Sequence, residues 1–567
     1  MATLDRTAAE RATGRERAAA ARPRDLTERI NLHARAVAIG VLIALIGIGA
    51  FGRFYTARFS GLVSPQAMEI GDIAQQLRYH NSFSTRVVRP LVLSYATPDQ
   101  YGTVPDTRHQ PLYPALLSLL FRVRGGGDAS VAMFNGLMFL LTGWVIFVIA
   151  RMLWDKPIGL LAAALYFVSI DAIGHALTAT GASLAGLLVT VAIWAALRTR
   201  MSAEDAEAEG RGRGSLLWPA VVGVVFGLAY LSGTTAALLV IPVAMLAAAP
   251  GRGRLRRAAI IAAVSLVVVT PWLVRNWSVS GTPVPMLAAY ELIADTRTYP
   301  TDTIYSHMPG EVPSPLAFAI SHPGDMIHKA GRGLTMLYRS APGMLTPYLF
   351  PFFVIGAFIF GTHNLKRSLW RAVLAMILLQ ALSISLYGLR PDGMTVLLPA
   401  AICLAAAGLV EILRRADAPR WSTVAVGAAI VALVLFPTAS SAILGGKTAV
   451  NPARAAMDFI DQGLLEGAVI ASDRPELVAW YGRRTAVALP ASPTDLARLD
   501  QTALKPHYIF LTADVFQNPV RTGLLPWHNY LTQEDAPQEL GTLVGGRPGA
   551  EVLLEREQMR VGQNTDA

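Results

Sequence analysis

Cysteine is almost absent: Cys403 is the only one in 567 residues, and it falls inside a long apolar run. No intramolecular disulfide can form, and no cysteine-based zinc site can be assembled. Charge is scarce as well, at 16% of residues against 53% hydrophobic, too little for the surface of one soluble globule of this length. No internal repeat recurs. The low-complexity stretches are the Ala/Arg/Glu-rich N-terminal segment and SAEDAEAEGRGRG at residues 202–214, both read as solvated linkers.

What the chain has instead is long apolar runs. Crossing about 30 Å of hydrocarbon at about 1.5 Å per residue takes roughly 20 mostly apolar residues. Such windows fall at 34–54, 129–152, 157–173, 182–198, 216–232, 234–250, 258–274, 341–362, 371–388, 393–413 and 421–444, which makes about eleven spans. The expected fold is an all-α polytopic membrane protein over residues 34–444, preceded by a disordered cytoplasmic tail over 1–33. A small α/β soluble domain over 445–567 follows, because AVIASD, TAVALP and HYIFLT read as strands and residues 458–464 and 475–481 as helices.

Orientation follows from the rule that short cytoplasmic loops collect Lys and Arg. With the N-terminus inside, one side receives Arg151 with Lys156, the arginines of 198–213, and Arg252, Arg254, Arg256 and Arg257. The same side receives Lys366, Arg367 and Arg371, then Arg414, Arg415 and Arg420. PLYPALLSLLF at 111–121 is apolar but only about half a span long, and counting it would put the last three basic loops outside. It is expected as a re-entrant or interfacial helix of the first outside loop. The net charge of +10 belongs to the inside loops and tail, so it does not argue for nucleic acid. The expectation is a multi-pass plasma-membrane protein whose C-terminal domain is extracytoplasmic.

The first outside loop places Ile70, Ile73, Ala74 and Leu77 on one helical stripe and Glu69, Asp72 and Gln76 on another face. Lying at the membrane surface, such a helix presents two carboxylates to the interface, where desolvation raises the pKa of Glu69 toward a value useful for proton abstraction. Arg86, Arg89, Asp106, Arg108 and His109 follow, and guanidinium groups suit a phosphate. Arg275, at a span end in TPWLVRNWSVSGTP, and Arg390, in GLRPDG, read either as snorkelling anchors or as phosphate clamps.

These residues in this order resemble the polytopic C-type glycosyltransferases, the superfamily of protein O-mannosyltransferases and lipid A aminoarabinose transferases. The resemblance runs through residues 34–490. The pattern D-E-A-x-x-x-x-I-A-R-x-L followed by G-x-G-F is matched by Gln66 to Leu77 with Asn81 to Phe83. H-P-P-L-Y-P appears as His109, Gln110, Pro111, Leu112, Tyr113 and Pro114, and P-W-x-x-R-N-x-x-x-x-G-x-P as Pro271, Trp272, Arg275, Asn276, Gly281 and Pro283. A late A-W-Y-x-x-R is present as Ala479, Trp480, Tyr481 and Arg484.

The resemblance implies transfer of a sugar from a polyprenyl-phosphate carrier in the bilayer to an acceptor glycan, lipid or protein at the outer face, with inversion. A first-loop carboxylate would act as general base. Gln66, Arg86, Arg89, Arg108, His109, Tyr113, Arg275, Asn276 and Arg390 would surround the substrate. No cofactor is required; a divalent metal is left open and no ligand set is assigned to it. Two departures stand out: Gln66 occupies the position of the usual aspartate, and TATGAS at 178–183 has no acid where a second is usual, with Asp171 nearby but poorly placed. Glu69 and Asp72 are therefore the expected catalytic acids. The alternative is a non-catalytic polyprenyl-lipid-binding protein derived from the same family. A secondary transporter is disfavoured, because paired half-repeats with broken helices are absent.

The topology makes a direct prediction. In a chain with Cys403 replaced, single cysteines at Ser202 and Ser492 should report opposite sides of the membrane to an impermeant thiol reagent in intact cells. Labelling of both from outside would break the topology.

Overall fold

The computed structural model describes residues 26–209, 215–233, 238–248, 253–359, 364–388, 391–444, 451, 454–457, 464, 467–502, 504–532, 540–547 and 551–556. Arg390, most of the helix expected at 458–464, and the expected tail up to residue 25 lie outside the described residues. Residues 26–33 of that tail are helical rather than disordered.

The main helices are α1 (Leu26–Arg58), α2 (Pro65–Tyr79), α3 (Leu112–Arg124), α4 (Asp128–Leu153), α5 (Lys156–Val168), α6 (Ile170–Thr178), α7 (Ala182–Ala208) and α8 (Leu217–Ser232). They continue with α9 (Val240–Ala248), α10 (Arg254–Ser280), α11 (Pro323–Met344), α12 (Thr346–Ile359), α13 (Asn364–Leu386), α14 (Leu398–Arg415) and α15 (Arg420–Ile443). Among the described residues, seven helices are long and apolar enough to cross a membrane, or eight if α5 and α6 form one bent span. The chain is a multi-pass membrane protein. The count of eleven is not confirmed among the described residues, where α8, α9 and α12 have 16, 9 and 14 residues. The window at 157–173 is bent by 55° between α5 and α6, because the Ser169 side chain accepts from the Ala172 amide and starts a new helix there.

Three of the basic loops meet at one end of the bundle. Arg414 pairs with Asp155, and Lys366 lies 5.6 Å from the Trp154 ring centre. Helix α4 has 26 residues and so rises about 39 Å, carrying Asp128 to the opposite end. At that end sits a six-stranded sheet. Its strands are β2 (Val87–Val88), β4 (Ile470–Ser472), β5 (Ala486–Ala488), β6 (Tyr508–Leu511), β7 (Thr542–Arg547) and β8 (Glu551–Glu555), in the order β2-β5-β4-β6-β8-β7. The first four are parallel, and β8 and β7 are antiparallel. A separate pair joins β1 (Ser84–Thr85) to β3 (Val104–Pro105).

AVIASD, TAVALP and HYIFLT are all strands, as the sequence predicts, but the edge strand β2 comes from the first long loop. The two segments share a core. Met68, Ile70 and Ala74 of α2, with Tyr113, Leu117 and Phe121 of α3, pack against Leu477, Val478, Trp480, Tyr508 and Phe510. The late Trp-Tyr motif makes this joint. Trp480, closing the short helix α16 (Pro475–Trp480), lies against Gly71, where an added Cβ would come within 2.7 Å of the indole. The Trp480 Nε1–H donates to Asp128 Oδ1 at 2.8 Å, and the Tyr481 hydroxyl lies 3.0 Å from Asp128 Oδ2 and 2.9 Å from the Leu62 carbonyl. Gly61, at φ +125°, passes so close that a Cβ would meet Asp128 Oδ2 at 2.7 Å.

Asp128→Ala removes both side-chain acceptors at the joint, and a hydrogen bond to a charged group contributes about 1.5–3 kcal/mol. The variant should exchange amide hydrogens faster over residues 470–488 in detergent while protection within α4 changes little. Unchanged exchange there would mean that the joint is held by the apolar core alone.

Candidate active site

Helix α2 is not a surface helix with an acidic face. Every residue from Ala67 to Gln76 is buried, because the bundle, α3 and the sheet domain enclose it on all sides. Its two acids must therefore be neutralised internally. The segment Arg86-Val87-Val88-Arg89 does so. Its valines pair into the sheet and its arginines turn to α2.

Asp72 accepts from the Arg86 amide at 2.7 Å, Thr85 Oγ1 at 3.1 Å, Arg86 Nη1 at 3.3 Å and Gln76 Nε2 at 3.4 Å. Burial pushes its pKa up against these partners. It is fully enclosed and lines neither of the two cavities described below. In this arrangement Asp72 fastens α2 to the first loop.

Glu69 accepts from Arg89 Nη1 at 2.5 Å and Nη2 at 2.7 Å, and His109 Nε2 lies 3.8 Å from its Oε2. Burial alone would raise its pKa, but Arg89, then His109 and Arg108, outweigh burial and hold it at about 2. This is the reverse of the expected elevation. The reason is the two-pronged guanidinium contact, which the sequence pattern does not reveal.

Arg108 bonds Glu291 at 2.9 Å and Asp302 at 3.3 Å, and stands 4.6 Å from the Tyr305 ring centre, with Arg89 at 5.7 Å from the same ring. Burial would favour loss of the Arg108 proton; Asp302 and Glu291 outweigh it and push the pKa well above the usual arginine value. Lys329 of α11, fully buried, donates to the carbonyls of Glu291 at 2.7 Å and Leu292 at 3.0 Å, and burial pulls it down to about 8. Glu291, Asp302, Tyr305 and Lys329 come from the second long loop, and no motif marks them.

His109 completes the cluster. Its Nδ1 is 3.2 Å from Asp106 Oδ1, and its amide donates to Asp106 Oδ2 at 2.8 Å. Glu69, Asp106 and His109 bring potential ligand atoms within 4.8 Å of one another. The permanent positive charge of Arg89, bonded to both oxygens of Glu69, opposes a divalent cation at this point.

Two cavities meet at this cluster. The first, about 190 Å³, runs from Gln66, Arg108 and His109 past Thr180, Gly181 and Glu291 to Ala182, Ala185, Ile384 and Val396. The second, about 730 Å³, shares Gln66, Arg108, His109 and Thr180 and opens toward Asp473, Arg474, Glu476, Asp514 and Asn518 of the sheet domain. These last residues follow the carboxyl ends of the parallel strands β4 and β6, where open α/β sheets bind ligands. Asp473 accepts from the Thr512 amide at 2.9 Å, and burial lifts its pKa to about 6. The TATGAS segment thus reaches the cavity after all, with Thr180 in place of an acid.

The remaining expected site residues stand outside both cavities. Arg275 donates to the carbonyls of Asp106 at 2.6 Å and Phe83 at 3.0 Å, and lies 4.9 Å from the Trp272 ring centre. Its fork is engaged by these two carbonyls and by Asn276 Oδ1 at 3.2 Å. Asn276 donates to the Pro283 carbonyl at 3.4 Å and closes the turn at Gly281. The Tyr113 hydroxyl accepts from Asn135 at 2.6 Å. Arg86 serves Asp72. All four position the loop rather than line the cavities.

A family model described as dolichyl-phosphate-mannose-protein mannosyltransferase matches residues 108–275. The solved structure of apo ArnT from Cupriavidus metallidurans superposes at a TM-score of 0.56 and 14% identity, over 92% of this chain and 98% of that one. The chain shares the ArnT fold, and residues 108–275 are similar to the mannosyltransferase family. A second solved structure, ArnT from the same organism bound to undecaprenyl phosphate, matches at 0.56 and 14% over 91% of this chain and 97% of that one. Archaeal oligosaccharyltransferase AglB from Archaeoglobus fulgidus, in complex with an inhibitory peptide and a dolichol-phosphate, matches at 0.51 and 13% over 93% of this chain and 75% of that one. No match is found among curated proteins.

The Glu69–Arg89 pair makes a pH prediction. A carboxyl whose folded pKa is depressed contributes stability that is complete above its unfolded value and is lost as pH falls through the folded one. Lowering pH from 4.5 toward about 2 should therefore reduce the thermal midpoint of the parent more than that of Glu69→Gln, in which the titrating group is gone. Equal losses in the two proteins would rule out the depressed carboxyl.

Proposed function

We propose that this protein transfers a glycosyl group, with inversion, from a polyprenyl-phosphate carrier to an acceptor on the extracytoplasmic face of the plasma membrane. The observation that carries this reading is the pair of cavities joined at Gln66, Arg108, His109 and Thr180. The smaller suits the carrier: polar at its head, where Arg108 stands beside Glu291, and apolar along Ala182, Ala185, Ile384 and Val396. The larger suits a polar acceptor or the sugar itself.

Arg108 stands where a lipid phosphate would sit. Its bonds to Glu291 and Asp302 run through Nε and Nη2, so among the described residues Nη1 is the donor left for a phosphate oxygen. As the glycosidic bond breaks, charge accumulates on the departing phosphate, and a fixed guanidinium there lowers the barrier without reorganisation. The relatives' bound undecaprenyl phosphate and dolichol-phosphate support the same carrier class here. The sheet domain, with Asp473, Glu476, Asp514 and Asn518, forms the acceptor side. The basic end of the bundle is then cytoplasmic. A non-catalytic carrier-binding protein is the second reading, favoured by Gln66 and Thr180 at the two positions where acids are expected.

Purified protein in nanodiscs should bind undecaprenyl phosphate, and Arg108→Ala should weaken that binding about 10- to 100-fold, the equivalent of one or two charge-assisted hydrogen bonds. Mass spectrometry of envelope glycans and lipid-linked sugars should differ between cells with and without the gene. Binding without any such difference would favour the second reading; no binding by the parent would sink both.

A further inference from the structure

We propose that His109, oriented by Asp106, is the general base that takes the proton from the acceptor hydroxyl, replacing the missing first-loop aspartate. The assignment rests on the glycosyl transfer proposed above and names the base it lacks. The reacting atoms must meet where the carrier cavity joins the acceptor cavity, and four residues line both: Gln66, Arg108, His109 and Thr180. An amide, a guanidinium and a hydroxyl do not accept a proton at neutral pH. The imidazole does.

The acids of the first loop are otherwise engaged, and Glu291 and Asp473 each line only one of the two cavities. Glu69 holds a guanidinium on both oxygens, and Asp72 is fully enclosed with its hydrogen bonds filled. Asp106 is buried beneath the histidine. Its Oδ2 accepts from the amides of Arg108 at 3.3 Å and His109 at 2.8 Å, and its Oδ1 lies 3.2 Å from His109 Nδ1.

A carboxylate can only accept, so Nδ1 carries the proton and Nε2 presents its lone pair. Arg275 fixes this orienting group from behind, donating to the Asp106 carbonyl at 2.6 Å. Nε2 stands 3.8 Å from Glu69 Oε2, longer than a hydrogen bond, so a hydroxyl can approach it. Glu69 then has a different task from the one its position on α2 suggests. It is the counter-charge for the imidazolium that forms, kept ionised by Arg89.

The step balances. The acceptor O–H proton passes to Nε2 while the oxygen forms its bond to the anomeric carbon on the face opposite the phosphate. The carbon–oxygen bond to phosphate breaks, and its electron pair leaves with the polyprenyl phosphate. The imidazolium returns its proton to solvent in the larger cavity.

His109 is thus the catalytic residue, and Asp106 and Arg275 are positioning residues. His109→Gln and His109→Ala should bind undecaprenyl phosphate within about twofold of the parent, while formation of the envelope product in cells lacking the native gene falls about 10²- to 10⁴-fold. Imidazole in the medium should restore part of the product with His109→Ala and none with Arg108→Ala. Asp106→Asn should lose product with carrier binding retained, since the amide can support the wrong tautomer; if it fails to fold, the His109 pair decides.

The assignment is overturned if His109→Gln forms product at the parental rate. It is equally overturned if His109→Gln loses undecaprenyl phosphate binding as Arg108→Ala does, or if the parent carries a stoichiometric metal that the His109 variants lack. A parent that binds no undecaprenyl phosphate defeats the transfer reaction itself, an outcome that carrier binding separates from failure of the base.

Discussion

The rest of the structure depends on one joint, the seating of Trp480 against Gly71 with Asp128 gripped between the indole and the Tyr481 hydroxyl. A side chain at position 71 would push the indole away, and with it the whole sheet domain from α2. Because α2 carries Gln66 and Glu69, and the sheet carries Asp473 and Glu476, the width of the larger cavity is set by this contact. Asp128 is also the first residue of α4. The joint therefore ties the soluble domain to a membrane helix directly and does not rely on a linker.

Charge is distributed to suit. Two carboxylates on an enclosed helix would be intolerable without counter-ions, and one short stretch of the first loop supplies both while its intervening valines extend the sheet. Register in the sheet and neutralisation in the core are thus specified together. A slip of one residue along β2 would exchange valines for arginines at the sheet edge and strand both acids. Arg275 extends the same logic from the bundle side, because its fork holds the carbonyls of Phe83 and Asp106 at the two ends of the loop.

Much of this was legible in the sequence, and what was missed has physical causes. The apolar windows became helices because length and composition alone decide whether a segment can stay in lipid. The strands at 470–472, 486–488 and 508–511 follow from short β-branched and aromatic runs. Membership of β2 in that sheet was not legible, since two valines between arginines carry no strand period. The contacts of Arg275, Asn276 and Tyr113 with the loop were not legible for a related reason: a motif does not say whether a residue fixes a loop or binds a ligand. The pKa of Glu69 was read from position on a helix, whereas it is governed by a guanidinium 20 residues away in the chain. Glu291 and Asp302 reach the site from a loop whose pattern has no period and Lys329 from the helix α11, so only the folded geometry brings them in.

The edge strand β2 also bears on how the protein is made. Val87 pairs with Ala486, so every membrane-capable helix after α1 lies between the two partners in sequence. At about 5–20 residues per second, the ribosome needs on the order of 20–80 s to travel from one to the other. Through that interval the first loop has its edge unpaired and the acids of α2 lack their enclosing domain. Assembly of the end that holds the two cavities is therefore a late event, and it leaves a window in which a chaperone would find the first loop exposed.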